Sequence, residues 1–170
     1  MSSPTDPELL AAYAGKGVLL DSNLLLLLVV GMSDRQQVAR FKRLNIFAVE
    51  DFDLLVAITA AFRHVYVTPN VVTEVSNLAG ALFGESKRRC FEMLRALLQK
   101  AEELIIESRV ASEHDMFVEF GVTDAVLGIC AGDPPLVLTV DFPLARILAA
   151  RGRPVVNVNH LRHRYWNTEP

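Results

Sequence analysis

The stretch "GVLLDSNLLLLLVVG", residues 17–31, decides how the chain is read. Aliphatic residues run on both sides of one polar break, Asp21-Ser22-Asn23. A short continuous apolar run ending in a polar turn reads as a strand buried on both faces, the kind found in parallel sheets. The longer run that follows reads as a helix starting at Ser22 or Asn23. It is too short to span a membrane, which takes about 20 apolar residues. An ionisable carboxylate at that junction either caps the helix or stands at the mouth of a site.

Outward from this stretch, the same alternation repeats. Strands are predicted at 17–21, 65–68, 104–108, 135–140 and 154–159. Between them fall helices at 33–45, with Ser33 or Asp34 as N-cap, and at 49–64. Pro69 opens the next, which Gly80 or Gly84 ends, and another covers 85–103. A helix over 111–121 is closed by Gly121, and the one after it is capped by Thr123. The last two cover 143–152 and the segment from His160. Strands separated by helices of this length imply parallel βα units. The predicted fold is therefore α/β, with a central, mostly parallel sheet. No repeat or linker divides the 170 residues, so a single domain over 1–170 is expected.

Composition narrows the class. With 51% hydrophobic and 22% charged residues, the chain is globular. A net charge of −3 excludes a global basic footprint for nucleic acid, though not a local one. Cys90 and Cys130 form no CxxC, and both are expected to be reduced. The start, "MSSPTDPELL", has no basic region followed by a long apolar core, so it does not read as a secretory signal. A cytoplasmic protein is expected. There is no P-loop, GxGxxG, GxSxG or zinc-ligand spacing in the chain. His160 and His163 stand three apart, but no second pair joins them.

In an open parallel sheet, ligands bind where the strands end. That rule sorts the 20 acids. Asp21 ends the first strand and Asp141 follows "PLVLTV". Glu74 lies early in the helix after "VYVT", and Asp124 opens the helix after Gly121. Taken singly, Asp21, Asp124 and Asp141 also read as helix caps or first-turn residues, and Glu74 as a solvated helix face. Taken together they converge on one edge of the sheet. Two such charges about 4 Å apart repel by ~4 kcal/mol at an effective dielectric of about 20. A hard divalent cation, Mg²⁺ or Mn²⁺, relieves that repulsion and suits phosphodiester chemistry. Asn23, two residues after Asp21, and Thr139, two before Asp141, are placed to support the acids.

These motifs resemble those of the PIN-domain family. The first is an apolar strand ending in Asp with a hydroxyl residue next, here "VLLDSN". Then come "VTPNVVTEVSNL" with Glu74, "FGVTDAVLGICA" with Asp124, and "LVLTVDFPLARIL" with Asp141. The resemblance covers residues 17–160 in order. It implies a three-layer α/β/α sandwich whose acidic pocket, Asp21, Glu74, Asp124 and Asp141, binds Mg²⁺ or Mn²⁺ and carries catalysis. Asn23 and Thr139 would be auxiliary. It implies a metal-dependent endoribonuclease cutting single-stranded or structured RNA. Many members are toxins of toxin–antitoxin pairs, so an inhibitor (antitoxin) protein and a homodimer are implied partners, with no membrane. The chain is longer than the compact toxins, with an extra helical segment at about 33–62. The alternative is a non-catalytic PIN-like module that binds RNA or protein.

Two basic clusters are candidates for RNA contact. Arg35, Arg40, Lys42 and Arg43 crowd an early segment. Arg162 and Arg164, with Arg151, Arg153, His163, Tyr165 and Trp166, crowd the far end. Cations beside aromatics suit single-stranded RNA, through phosphate contacts and stacking. "KRR" at 87–89 reads as a solvated helix face.

Overall fold

Three aliphatic residues, Val18–Leu20, form the central strand β1, and none of their surface reaches water. The computed structural model describes residues 4–132 and 135–166, with side chains described as far as Arg162. β2 (Val65–Val67) and β3 (Glu102–Glu103) lie on one side of β1; β4 (Leu136–Thr139) and β5 (Val155–Asn157) lie on the other. The order is β3-β2-β1-β4-β5, and every pair is parallel. Val18 is in register with both Val65 and Leu136. Both faces of such a sheet must be covered, which is why its inner strands are unbroken apolar runs.

The helices are α1 (Asp6–Tyr13), α2 (Ser22–Ser33), α3 (Gln37–Arg40), α4 (Val49–Ala60), α5 (Pro69–Ala79) and α6 (Gly84–Leu98). They continue with α7 (Ser108–Glu113), α8 (Phe117–Cys130), α9 (Phe142–Ala150) and α10 (Val158–Trp166). Successive strands step one way from β1 to β3 and the other way from β4 to β5. With right-handed crossovers, those steps put their helices on opposite faces. The contacts agree: α2 packs on α4, α5 and α6, while α9 packs on β4, β5 and α8, and α1 on β4 and β5. The result is a three-layer α/β/α sandwich. Among the described residues, no helix is long and apolar enough to cross a membrane.

α2 explains the long aliphatic run. Leu24 to Gly31 are all buried. A helix apolar all round belongs inside a core, and each fully buried leucine stabilises the fold by roughly 2 kcal/mol over leaving it exposed. Gly31 is where α4 crosses most closely: a Cβ there would lie 2.2 Å from the Phe52 ring.

Several boundaries differ from the expected ones. The segment 33–45 is not one helix. α2 runs to Ser33, α3 is one turn, Phe41 is extended (ψ 111°), and a 3-10 turn covers Lys42–Leu44. Asp34 is not an N-cap but the C-cap of α2, its N–H donating to the Val30 carbonyl, and its carboxylate accepts from the Gln36 N–H in a tight turn. The strand expected at 104–108 is Glu102–Glu103, followed by one further bond from the Leu104 N–H to the Val67 carbonyl. Accordingly α6 ends at Leu98, not at 103. α7 covers only Ser108–Glu113, while the expected break at Gly121 is present: its backbone is non-helical (φ 82°, ψ −178°), so α8 is two helices that meet there. α1 was not anticipated; the Glu8 carboxylate accepts from the Thr5 N–H at its start.

The far end of the chain is tied back to the middle. Arg162 of α10 donates from Nε to Asp51 Oδ1 (2.7 Å) and from Nη2 to Asp51 Oδ2 (2.5 Å). It also reaches Asn159 and the Ile46 carbonyl, and its guanidinium lies 5.1 Å from the Phe47 ring centroid. His160 Nδ1 lies 3.1 Å from Asp6 Oδ2. Cys90 and Cys130 are free, with burial pushing both thiols up to about 11. They are thus protonated and unreactive at neutral pH.

Candidate functional site

β1 and β4 are neighbours whose outgoing connections leave in opposite directions. Such a reversal opens a crevice beyond the strand ends, where ligands settle in doubly wound sheets. Asp21 directly follows β1, and Asp141 lies two residues beyond Thr139, the end of β4, so both carboxylates stand at this crevice.

Asp21 is 5% exposed and fully engaged by the backbone around it. Its Oδ1 accepts from the Leu24 N–H (2.8 Å), capping α2. Its Oδ2 accepts from the Thr139 hydroxyl (2.5 Å) and the Val140 N–H (3.1 Å). Burial raises its pKa, the three hydrogen bonds oppose that shift, and the charge of Asp141 adds to it. Asp141 caps α9, its Oδ1 accepting from the Leu144 N–H (2.9 Å). Its own N–H donates to the Thr139 hydroxyl (2.9 Å), so Thr139 links the two acids. The cap reading and the site reading are therefore compatible at both positions, because one carboxylate oxygen caps while lone pairs remain.

Glu74 comes from α5, whose start is set by the Thr68 cap and Pro69. Two hydroxyls grip it: Ser22 Oγ donates to Oε2 (2.5 Å) and Thr123 Oγ1 to Oε1 (2.6 Å). Ser22 directly follows Asp21, and Thr123 directly precedes Asp124. Thr123 thus serves Glu74 and does not cap a helix, because the kink at Gly121 already places it inside α8. Asp124 is half-buried and accepts no hydrogen bond from any described residue. Its pKa is pushed up to about 6, by burial first and then by the charges of Asp141, Asp21 and Glu74. All three other acids act on this one group.

Among the described residues, no Lys, Arg or His forms an ion pair with any of the four acids. Elsewhere the chain pairs its carboxylates: Glu85 with Arg88 and Arg89, Asp53 with Arg35, Asp115 with Arg151. Also among the described residues, no three His, Cys, Asp or Glu side chains stand at a spacing that already encloses an ion. Glu74 is turned to its two hydroxyls. The donor set is carboxylate oxygen throughout, the chemistry that Mg²⁺ and Mn²⁺ favour over soft metals. Uncompensated carboxylates with spare lone pairs fit such an ion.

The supporting residues sort differently from expectation. Thr139 bridges Asp21 and Asp141 as described, but Asn23 is exposed and its side chain bonds no described residue. Ser22 and Thr123 do the work of holding an acid. Asn157 was missed. It ends β5 in register with Thr139 and is 2% exposed. Its Oδ1 accepts from the Asn159 N–H, which orients the amide, and its buried Nδ2 has no partner. An orphan donor in such a place is unusual. The signal was an amide ending the apolar run "PVVN".

The basic candidates also divide. Arg35 is paired with Asp53, and Arg162 with Asp51, so neither guanidinium is presented to a phosphate. Arg151 is likewise paired with Asp115. Arg40, Lys42 and Arg43 are exposed around one cleft. The side chains of Arg164, His163, Tyr165 and Trp166 lie outside the described ones.

The geometry defines an α/β sandwich with an acidic crevice at its switch point. No family model matches the sequence. No curated protein matches it either.

Proposed function

We propose that the chain is a metal-dependent endoribonuclease that hydrolyses phosphodiester bonds of single-stranded RNA. One observation carries the reading: carboxylates from three other segments, Asp21, Glu74 and Asp141, bear on the half-buried Asp124 at the switch point, and no described cation pairs with any of the four. The ordered resemblance to PIN-domain motifs supports it and suggests, more narrowly, a toxin held in check by an inhibitor protein.

Asp21, Asp124, Asp141 and Glu74 would hold Mg²⁺ or Mn²⁺. When bound, such an ion supplies positive charge against the phosphodiester and acidifies water. The chain's own residues prepare that site. Thr139 and the backbone N–H groups of Leu24 and Val140 fix the Asp21 carboxylate. Asp141 is fixed in turn by its helix cap. Asp124, at about 6, is the member able to exchange a proton near neutral pH. Ser22 and Thr123 hold Glu74 until a better partner draws it away.

The test is cleavage of a labelled single-stranded RNA pool with Mn²⁺, Mg²⁺ or EDTA, the Asp141→Asn protein beside the wild type. The expected result is cutting that needs both the metal and Asp141. Cutting that persists in EDTA, or in the variant, overturns the mechanism. No cutting, with metal binding seen by calorimetry, favours the non-catalytic RNA- or protein-binding module.

A further inference from the structure

We propose that a second site, away from the acids, grips single-stranded nucleic acid: a cleft of about 950 Å³ between α3, the 3-10 turn and the corner joining α5 to α6. Its walls carry Arg40, Lys42, Arg43, Asn45, Phe83 and Ser86. Phosphates would meet the three cations, and a base would stack on Phe83.

Three observations point to this ligand. The cations stand together without a counter-charge. Among the described residues, none of the three side chains takes part in an ion pair or hydrogen bond, although that of Arg35, a few residues earlier, does. No acid lines the cleft. In a chain of net charge −3, that concentration of positive charge is local and directed at an anion.

The second observation is Phe83. It is 86% exposed, while its neighbour Leu82 is 4% exposed and serves the core. Its backbone is extended and starts α6, so the ring is held out by a fixed corner. A large exposed aromatic beside three cations matches the stacking platform and charged groove of single-strand binders. An acidic peptide would use the cations and leave the ring idle.

The third is placement. Ala81, in the cleft wall, comes seven residues after Glu74 along α5 and its C-terminal turn. At about 1.5 Å per residue, roughly 10 Å separate them along the axis. The inference extends the nuclease reading by giving the strand a hold beyond the acids, but binding in the cleft needs no metal.

The experiment is fluorescence anisotropy of a labelled 12-nucleotide single-stranded RNA with the full chain in EDTA, over a salt series. Phe83→Ala is compared with the triple variant Arg40→Gln, Lys42→Gln, Arg43→Gln; all four side chains are on the surface, and circular dichroism checks folding. Phe83→Ala is expected to weaken Kd by about 5- to 150-fold, the loss of one stacked base. The triple variant is expected to reduce the slope of log K against log salt by about 2, at ~0.7 per lost phosphate contact. Both variants within twofold of the wild type overturn the proposal. So does a polyglutamate peptide that binds as tightly as RNA with no effect of Phe83→Ala, which would make the cleft a seat for an acidic protein. RNA bound in EDTA but never cut with Mn²⁺ would sink the nuclease reading and leave the cleft standing.

Discussion

Two aspartates in this molecule are equally hidden and differently treated. Asp51 and Asp21 are both 5% exposed. Asp51 accepts two charge-assisted bonds from Arg162 and one from the Ala48 N–H. Asp21 accepts three bonds too, but none from a cation, and its neighbour in charge is another acid, Asp141. A fold that wanted only stability would neutralise both. The difference teaches where a structural carboxylate ends and a functional one begins: the first is answered within the chain, while the second awaits something from outside.

The largest effect should come from breaking the answered pair. Arg162→Ala strands the buried Asp51 charge, and removing one partner of a buried pair costs about 3–5 kcal/mol. Urea denaturation would read this as a lower midpoint with an unchanged slope. Asp51→Leu combined with Arg162→Met should recover most of the loss. A single variant within 0.5 kcal/mol of the wild type, by about the scatter of surface substitutions, would mean the pair is not what ties α10 down.

The acid cluster should respond in the opposite sense, gaining stability from a cation. Mn²⁺ at about 100 times its Kd should add ~2.7 kcal/mol to the unfolding free energy. In Asp141→Asn that gain should largely vanish. If wild type and variant gain equally, the ion binds elsewhere and the contrast between the two aspartates fails.

The smallest effect sharpens the comparison within the cluster. Asp124 has a folded-state pKa of about 6, above the ordinary value of 3.8. Below about pH 3 it is protonated both folded and unfolded, and contributes nothing. As pH rises towards 6, the unfolded chain ionises first, so folding is progressively disfavoured; above that the full cost is in place. Asp124→Asn removes the cost. In EDTA the variant should be more stable than wild type at pH 8, and the advantage should disappear by about pH 3. An advantage that does not change with pH would place the effect in packing, not charge.

Much of this was legible in the sequence, for identifiable reasons. The parallel sheet follows from "GVLLD" and "PLVLTV", because strands buried on both faces leave no alternation to misread. Asp21 and Asp141 could be placed because each follows such a strand. β3 was misplaced by two residues. The aliphatic "LIIE" looks more strand-like than Glu102-Glu103, but an edge strand tolerates, even benefits from, exposed charge. The helix expected over 33–45 fails at Phe41, which turns extended to reach the core, a tertiary contact that propensity cannot foresee. Asn23 and Ser22 stand side by side in sequence, and only the direction of the helix decides which of them faces Glu74. Arg162 looked like a surface cation beside aromatics. Its partner Asp51 lies 111 positions away, beyond the reach of any local pattern.

Asp21 and Asp141 each hold down the first turn of a helix while also carrying a charge. Asparagine caps a helix about as well as aspartate. At Asp141, whose carboxylate makes only that cap, selection for a folded chain alone would therefore not preserve the acid, whereas at Asp21 an amide nitrogen would face an N–H donor. A single base change in the Asp141 codon would remove the charge and leave an intact fold, with its exposed surfaces still available for new uses. Retention of Asp141 in a given lineage would thus be a record of use, not of architecture.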